Sequence, residues 1–222
     1  MALNAAEEET IESLKKWWDE NGKQLVMLVV VVIAAYSAWL LWQNSRLDNA
    51  AAASDLYEEI LTLSTPSPGE SISAENSERI LAAATELTTE YSNSVYAMFG
   101  SLFAAQQSVR ANDLDAAEAA LQWILDHQQT GLFNQTDEGL ILTANLRLGR
   151  VLLSKGETER ALALVNSANP KSFEPAFAEL RGDIYVAMGR IEDAREAYVA
   201  AQQAGSNSDG LRMKLDDLSA ES

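Results

Sequence analysis

The chain has 222 residues and a formal net charge of −17, from 33 acidic and 16 basic side chains. This balance excludes a nucleic-acid-binding surface as the main function, because binding to phosphates needs a basic face. The absence of cysteine excludes a thiol nucleophile, a cysteine zinc site and an iron–sulfur cluster.

The first predicted element is a tail, residues 1–24, that is acidic and then basic. Its apolar residues recur at helical spacing: Ile11, Leu14, Trp17 and Trp18. This pattern predicts a short amphipathic helix that lies on a membrane and leads into the next element. The alternative interpretation is a docking peptide for a cytoplasmic or membrane partner.

The second predicted element is a transmembrane helix over residues 25–45. No charge occurs between Lys23 and Arg46, and Leu25–Trp42 contains ten Leu, Ile and Val residues. As a helix this segment would extend about 27 Å, close to the ~30 Å hydrocarbon core of a bilayer. Four tryptophans near its two ends are the predicted membrane-interface residues: Trp17, Trp18, Trp39 and Trp42.

The basic residues around this segment predict its orientation. Lys15, Lys16 and Lys23 precede it, whereas only Arg46 follows it closely. Because nearby Lys and Arg side chains stay on the cytoplasmic side, we expect a cytoplasmic N-terminus and an outer C-terminal domain. A cleaved signal peptide is the alternative, but its apolar run is usually only about 7–15 residues long and its leading segment is not long and acidic.

Residues 46–222 form the predicted outer domain. After Arg46 the chain carries 12 basic and 27 acidic side chains, a net charge of −15. The helix of the span is expected to continue to Leu63, where a segment with two prolines and a glycine ends it. From Ser77 onward apolar residues recur at helical spacing and no segment alternates like a strand, so the predicted fold class is all-α.

Three segments of this domain repeat one turn-plus-helix pattern: Asn112–Ala117, Gly156–Ala161 and Gly189–Ala194. Asn or Gly at the first position permits the left-handed conformation that ends a helix, and the acidic residues that follow suit the start of the next helix. The alanine that closes each segment would let two helices approach closely. Each turn also follows a helix with a small residue at its middle: Ala105, Gly149 and Gly182.

This recurrence resembles the tetratricopeptide repeat, a helical hairpin of about 34 residues. Ala161 and Ala194 are 33 positions apart, and a ten-residue loop at Thr130–Gly139 accounts for the longer spacing before them. The predicted architecture is therefore a stack of hairpins, with a terminal helix at Leu211–Leu218 covering the last one. A helical bundle of another kind is the alternative.

The first helices of stacked hairpins line a groove in which partners bind. Alignment on the turns predicts a groove of mixed apolar and charged residues: Phe99, Leu102, Gln106, Val109, Arg110, Leu146, Arg150, Leu153, Glu179, Asp183 and Val186. This mixture favours extended or unfolded segments as ligands over the charged end of a peptide. The alternative interpretation is that several of these side chains pack between repeats.

No motif in the chain indicates catalysis, since a phosphate-binding loop, a HExxH helix and a GxSxG turn are all missing. The single histidine, His127, follows an apolar helix and is expected to interact with its last carbonyl groups. Asp113 and Asp115 resemble the start of a calcium loop without its later ligands, so we interpret them as turn residues. We predict a non-enzyme with no cofactor and no metal site.

The membrane segment and two of the helices resemble the ancillary subunits of the bacterial SecYEG translocon, the YfgM-type family. The resemblance rests on four stretches: Trp17–Lys23, Trp39–Trp42, Asn145–Arg150 and Leu180–Asp183. Nearly the whole chain is covered. That family usually has a basic residue between the paired tryptophans at the end of the span, and this chain has Leu40 and Leu41 there.

The resemblance implies a single-pass protein of the bacterial inner membrane with a tetratricopeptide-repeat-like domain in the periplasm. The implied partners are the SecYEG translocon, a membrane-anchored periplasmic chaperone of the prolyl-isomerase type (PpiD-like) and unfolded exported chains. The implied role is to assist newly exported proteins, with the bilayer contacted through one span and no nucleic acid bound. Two other functions stay open: a scaffold for envelope assembly or division, and a signalling adaptor that acts through the cytoplasmic tail.

Overall fold

The computed structural model describes residues 2–67, 69–128 and 136–220. These ranges contain nine α-helices, one 3-10 turn at Lys171–Phe173 and no strand, which confirms the all-α prediction. The helices are α1 (Ala2–Ser64), α2 (Ala74–Glu90), α3 (Val95–Arg110), α4 (Leu114–Asp126), α5 (Glu138–Ser154), α6 (Thr158–Ser167), α7 (Glu174–Ala187), α8 (Ile191–Gln203) and α9 (Asp209–Ala220). By its internal contacts the chain divides into two compact units, Met1–Ala51 and Ala52–Ser222.

Helix α1, most of which belongs to the first unit, is the one helix of the described residues that is long and apolar enough to cross a membrane. Its most apolar eighteen-residue window has a mean hydropathy of 2.5, and none of that window is buried. A core helix of a soluble protein would bury such a surface, since exposing it to water costs about 25 cal/mol per Å². In a bilayer the same helix is stable, because its backbone groups are hydrogen-bonded within the helix.

Helix α1 continues beyond Arg46 to Ser64, as predicted. It ends just before Pro66, whose ring cannot continue a helix and disfavours helical backbone at Thr65. The hydroxyls of Ser64 and Thr65 donate to the carbonyls of Ile60 and Leu61, at 2.6 and 3.1 Å. Both are local bonds from a side chain to the carbonyl four positions earlier, in the last turn of the helix.

The three predicted turns have the left-handed backbone that their sequence pattern predicts. The φ angle is 57° at Asn112, 77° at Gly156 and 73° at Gly189. At each turn the next N–H donates to the carbonyl five positions earlier; the Asp113 amide, for example, lies 2.8 Å from the Ser108 carbonyl. This bond ends α3, α5 and α7 in the same way and folds each helix back onto the following one.

The three hairpins, α3–α4, α5–α6 and α7–α8, pack through the small residues that the pattern places on them. The three alanines five positions after the turn residue, Ala117, Ala161 and Ala194, are each 0% exposed. A Cβ atom on Gly149 would lie 2.8 Å from Leu180 Cδ2, so a larger residue there would require the Leu180 side chain of α7 to move. The predicted stack of hairpins is therefore present in the second unit.

The apolar core of the second unit consists of three clusters. One joins the end of α1 to α2 and α3 through Ile60, Ile80 and Leu87. The largest runs from α3 to α7, and the third joins α7 and α8 to α9. In the third, Leu211 and Leu218 of α9 are buried with Tyr198, which confirms the predicted terminal helix.

The predicted loop at Thr130–Gly139 lies mostly outside the described residues. At its end, Asp137 is the N-cap of α5 and its carboxylate accepts a hydrogen bond from the Leu140 amide at 2.9 Å. The helix therefore begins at Glu138, before the last residue of the predicted loop.

Candidate functional site

A cleft of about 440 Å³ lies between the first two hairpins of the second unit. Helices α3, α4 and α5 line it with a largely apolar wall and a few polar groups: Ala105, Gln106, Val109, Arg110, Leu114, Leu121, Arg147, Arg150, Val151 and Ser154. An apolar wall with few polar groups is typical of ligand-binding sites in proteins. We call this site the arginine cleft.

The local structure of two helices sets the positions of the arginines. Arg110 is the last residue of α3, which the left-handed Asn112 ends two positions later. Arg147 and Arg150 are three positions apart on α5 and therefore share one face of that helix. The Nη1 atom of Arg147 lies 3.4 Å from the Leu102 carbonyl of α3, to which it donates a long hydrogen bond.

The surroundings of Arg147 disfavour the charged form of its guanidinium. Although this residue is exposed at the surface, desolvation of its guanidinium lowers its pKa, and the positive charge of Arg150 lowers it further. A guanidinium nevertheless stays protonated near neutral pH, because its ordinary pKa exceeds 12. An anion bound in the cleft would offset both effects.

Four of the predicted groove residues line the arginine cleft: Gln106, Val109, Arg110 and Arg150. Leu102 and Leu146 are instead buried in the largest apolar cluster, and Phe99 and Leu153 are half-buried against it. Val186 is exposed on α7. The structure thus brings part of the predicted set together and places another part among packed helices.

The two predicted acidic groove residues are paired within the chain. Lys214 Nζ of α9 lies 2.8 Å from Glu179 Oε1 and 2.7 Å from Asp183 Oδ1. The Tyr198 hydroxyl donates to Asp183 Oδ1 at 2.8 Å. Burial raises the pKa of Tyr198, and the hydrogen bond to Asp183 raises it further. These contacts attach α9 to α7 and α8.

Sequence reasoning missed several residues that line the cleft: Ala105, Leu114, Leu121, Arg147, Val151 and Ser154. The repeat pattern predicts that only the first helix of each hairpin faces the groove, and this excludes Leu114 and Leu121 of α4. Arg147 carried a usable signal, because it lies three positions before Arg150 on the same helix face.

His127 and Asp113, which could suggest catalysis or calcium binding, make contacts that stabilise helix ends. The His127 ring stacks on the Trp123 ring at 4.1 Å, and its Nδ1 lies 2.8 Å from the Trp123 carbonyl, as expected for a helix-end histidine. Asp113 caps α4 by accepting a hydrogen bond from the Ala116 amide, which confirms it as a turn residue. In residues 2–67, 69–128 and 136–220 no group of three or more acidic or histidine side chains could hold a metal ion.

An ion-pair network joins α4 to the turn between α5 and α6. Lys155 Nζ lies 2.6 Å from both Asp115 and Glu118 and 3.3 Å from Glu157. Glu118 also accepts from Arg160 at 2.7 Å. Hydrogen bonds from Lys155 and then Arg160 lower the pKa of Glu118, so the network stabilises the charged carboxylate.

The predicted interface tryptophans are all exposed along α1: Trp17, Trp18, Trp39 and Trp42. The Arg46 guanidinium lies 4.3 Å from the centroid of the Trp42 ring. A basic group on an aromatic face at the end of an apolar helix is suited to the boundary between lipid and water.

The described residues contain a membrane-length apolar helix followed in the chain by stacked helical hairpins. These features define the class of helical-repeat proteins with one candidate membrane span. A family model described as a tetratricopeptide repeat-like domain matches residues 15–220. Proteins named ancillary SecYEG translocon subunit are similar over nearly their full length. The one from Haemophilus influenzae is 31% identical, with 98% of this chain and 100% of the relative covered.

The relative from Neisseria gonorrhoeae is 30% identical, with 98% of this chain and 100% of the relative covered. The relative from Escherichia coli is 29% identical, with 99% of this chain and 100% of the relative covered. No solved structure matches the chain. This chain belongs to the family of ancillary SecYEG translocon subunits, with a tetratricopeptide repeat-like domain, as its membrane-proximal motifs predict.

Proposed function

We propose that this protein is a non-catalytic, membrane-anchored subunit that associates with the SecYEG translocon in the bacterial inner membrane. Its tail, residues 1–24, lies in the cytoplasm, residues 25–45 cross the membrane, and residues 46–222 form a periplasmic interaction domain. The observation that carries the proposal is full-length similarity to relatives of that name on a chain that also has an exposed, membrane-length apolar helix.

The repeat domain links the translocon to a periplasmic chaperone of the prolyl-isomerase type and receives newly exported chains. The predicted groove residues that line the arginine cleft, Gln106, Val109, Arg110 and Arg150, are the binding surface for these partners. Anchoring raises the effective concentration of this surface at the membrane, so modest affinity suffices for function. The interface tryptophans fix the depth of the span.

Photo-crosslinking in intact cells tests this proposal. A photoreactive amino acid replaces Trp39 in the span, and in separate variants Gln106 or Val109 in the cleft; Met213, 65% exposed on α9, serves as the control outside the cleft. We expect translocon subunits to be captured from Trp39, and a chaperone or exported chains to be captured from the cleft but not from Met213. If Trp39 captured only lipid and the cleft captured a cell-wall or division protein, the translocon proposal would be wrong. The protein would then be a scaffold for envelope assembly or division.

A further inference from the structure

The three arginines of the cleft differ from most other basic residues of the second unit in lacking an acidic partner. Residues 52–220 contain twelve basic residues, and among the described parts of that range eight form ion pairs within 4.0 Å. Four have no such pair in those parts: Arg110, Arg147, Arg150 and Arg181. Arg181 donates to Asn166 at 3.2 Å, and the other three line one cleft.

This arrangement is unusual in so acidic a domain. Acidic side chains outnumber basic ones by more than two to one after Arg46, yet no acidic side chain lines the cleft. The helix end beside Arg110 offsets part of its charge, because a helix C-terminus is negative. Arg147 and Arg150 lie within α5, near enough for Arg150 to lower the pKa of Arg147.

We infer that the arginine cleft binds extended peptide segments in which acidic side chains alternate with apolar ones. Guanidinium groups bind carboxylates through paired, charge-assisted hydrogen bonds. Val109, Leu114 and Val151 supply an apolar wall for the neighbouring side chains of such a segment. Gln106 and Ser154 can bond to its backbone amides and carbonyls.

Charge complementarity favours this occupant over other anions. A nucleic acid would bring many phosphates toward a domain of strongly negative net charge and be repelled outside the cleft. One chain-terminal carboxylate would neutralise only one of three guanidiniums. A short segment with two acidic side chains neutralises two of them, and the negative end of α3 offsets part of the charge of Arg110.

The inference rests on the proposed function in one respect, that the repeat domain binds polypeptide chains. Its test uses the full chain in nanodiscs of phosphatidylcholine and fluorescence anisotropy of two labelled, end-blocked peptides. The first reads Gly-Ser-Leu-Glu-Val-Glu-Leu-Ser-Gly, and the second has Gln in place of both Glu. We expect the Glu peptide to bind at least about tenfold more tightly, as one charge-assisted hydrogen bond predicts.

Substitutions assign the preference to the cleft. Arg147→Gln and Arg150→Gln are each expected to abolish most of the Glu-over-Gln difference, and Arg150→Lys to retain part of it. Arg181→Gln is the matched control, since it removes the same charge from an arginine outside the cleft. Circular dichroism of each variant verifies that the helices are intact.

Equal binding of the two peptides, or a preference that survives Arg147→Gln combined with Arg150→Gln, would overturn the inference. If neither peptide bound, both the preference for acidic segments and the proposal that the cleft binds polypeptide chains would be overturned. Arg150-dependent binding to phosphatidylglycerol vesicles without a Glu preference would identify a lipid-headgroup site instead. Translocon association is measured separately by crosslinking from Trp39, so its failure is distinguishable from all three outcomes.

Discussion

Among the described glycines, Gly182 in the middle of α7 has the least space for a side chain. The Tyr198 ring of α8 occupies the space where a Cβ would be, since a Cβ built there lies 2.2 Å from Tyr198 Cε1. The same ring directs its hydroxyl to Asp183, so one side chain fills the apolar gap between two helices and joins them by a hydrogen bond. Glycine in the middle of α7 is thus a packing requirement.

We expect Gly182→Ala to destabilise the protein by about 1–3 kcal/mol, because overpacking of a filled core outweighs the ~1 kcal/mol that alanine gains in a helix. The measurement is chemical unfolding of the full chain in detergent. Gly210→Ala is the matched control, since a Cβ there meets nothing closer than 4.0 Å and the change should be neutral or stabilising. A destabilisation that is equal at both positions would show that Tyr198 contact is not its cause.

At the scale of elements, α9 covers the last hairpin of the stack. Stacked hairpins expose an apolar end unless a terminal helix covers it. Leu211 and Leu218 supply the apolar contact, and Lys214 adds ion pairs to Glu179 and Asp183 of α7. Arg195 of α8 also donates to the Leu218 carbonyl at 2.8 Å, which holds the end of α9.

Leu211→Ala is expected to lower the free energy of unfolding by about 2–5 kcal/mol, as for other fully buried leucines. We also expect it to loosen the contact of α9 with α7 and α8. Hydrogen exchange measured by mass spectrometry should be accelerated, relative to the unsubstituted protein, in α7, α8 and α9 more than in α3 and α4. Met213→Ala provides the control on the same helix, because Met213 is 65% exposed whereas Leu211 is 1% exposed. Unchanged exchange in α7 and α8 would mean that the hairpin does not need its covering helix.

At the scale of the whole molecule, the chain combines an apolar helix with an acidic repeat domain. Exposed apolar side chains on α1 make the first unit suited to lipid, whereas the second unit has its own buried core and a charged surface. Because the sequence has no cysteine, a single introduced cysteine reports the location of either part without interference.

We expect Asn207→Cys to react with a membrane-impermeant maleimide in intact spheroplasts, and Ser13→Cys to react only after lysis. This outcome follows from three basic residues before the span and one after it, which predict a cytoplasmic N-terminus. Both positions are exposed, so differences in reactivity report the side of the membrane. The cysteine-free parent chain serves as the blank, and the opposite labelling pattern would reverse the orientation.

Much of the fold could be predicted because its signals are local in the sequence. The positive φ at Asn112 and Gly156 depends on residue type within one turn, and the burial of Ala117 follows from its fixed distance to that turn. Only part of the candidate site could be predicted. Alignment on the turns identified Arg110 and Arg150, but it placed Leu102 in the groove, where packing of α3 against neighbouring helices buries it.

The sequence by itself determined the membrane-length helix, the all-α class and the turns of the hairpins, because these depend on composition and on residues within a few positions of one another. Tertiary structure decided which side chains meet. Arg110 and Arg147 are 37 positions apart in the chain, and only the packing of α3 and α5 against α4 brings them to one cleft. Spacing predicts Glu179 and Asp183 in the groove, but Lys214 from α9 pairs with both. Such contacts depend on how separate helices pack, which local sequence patterns do not specify.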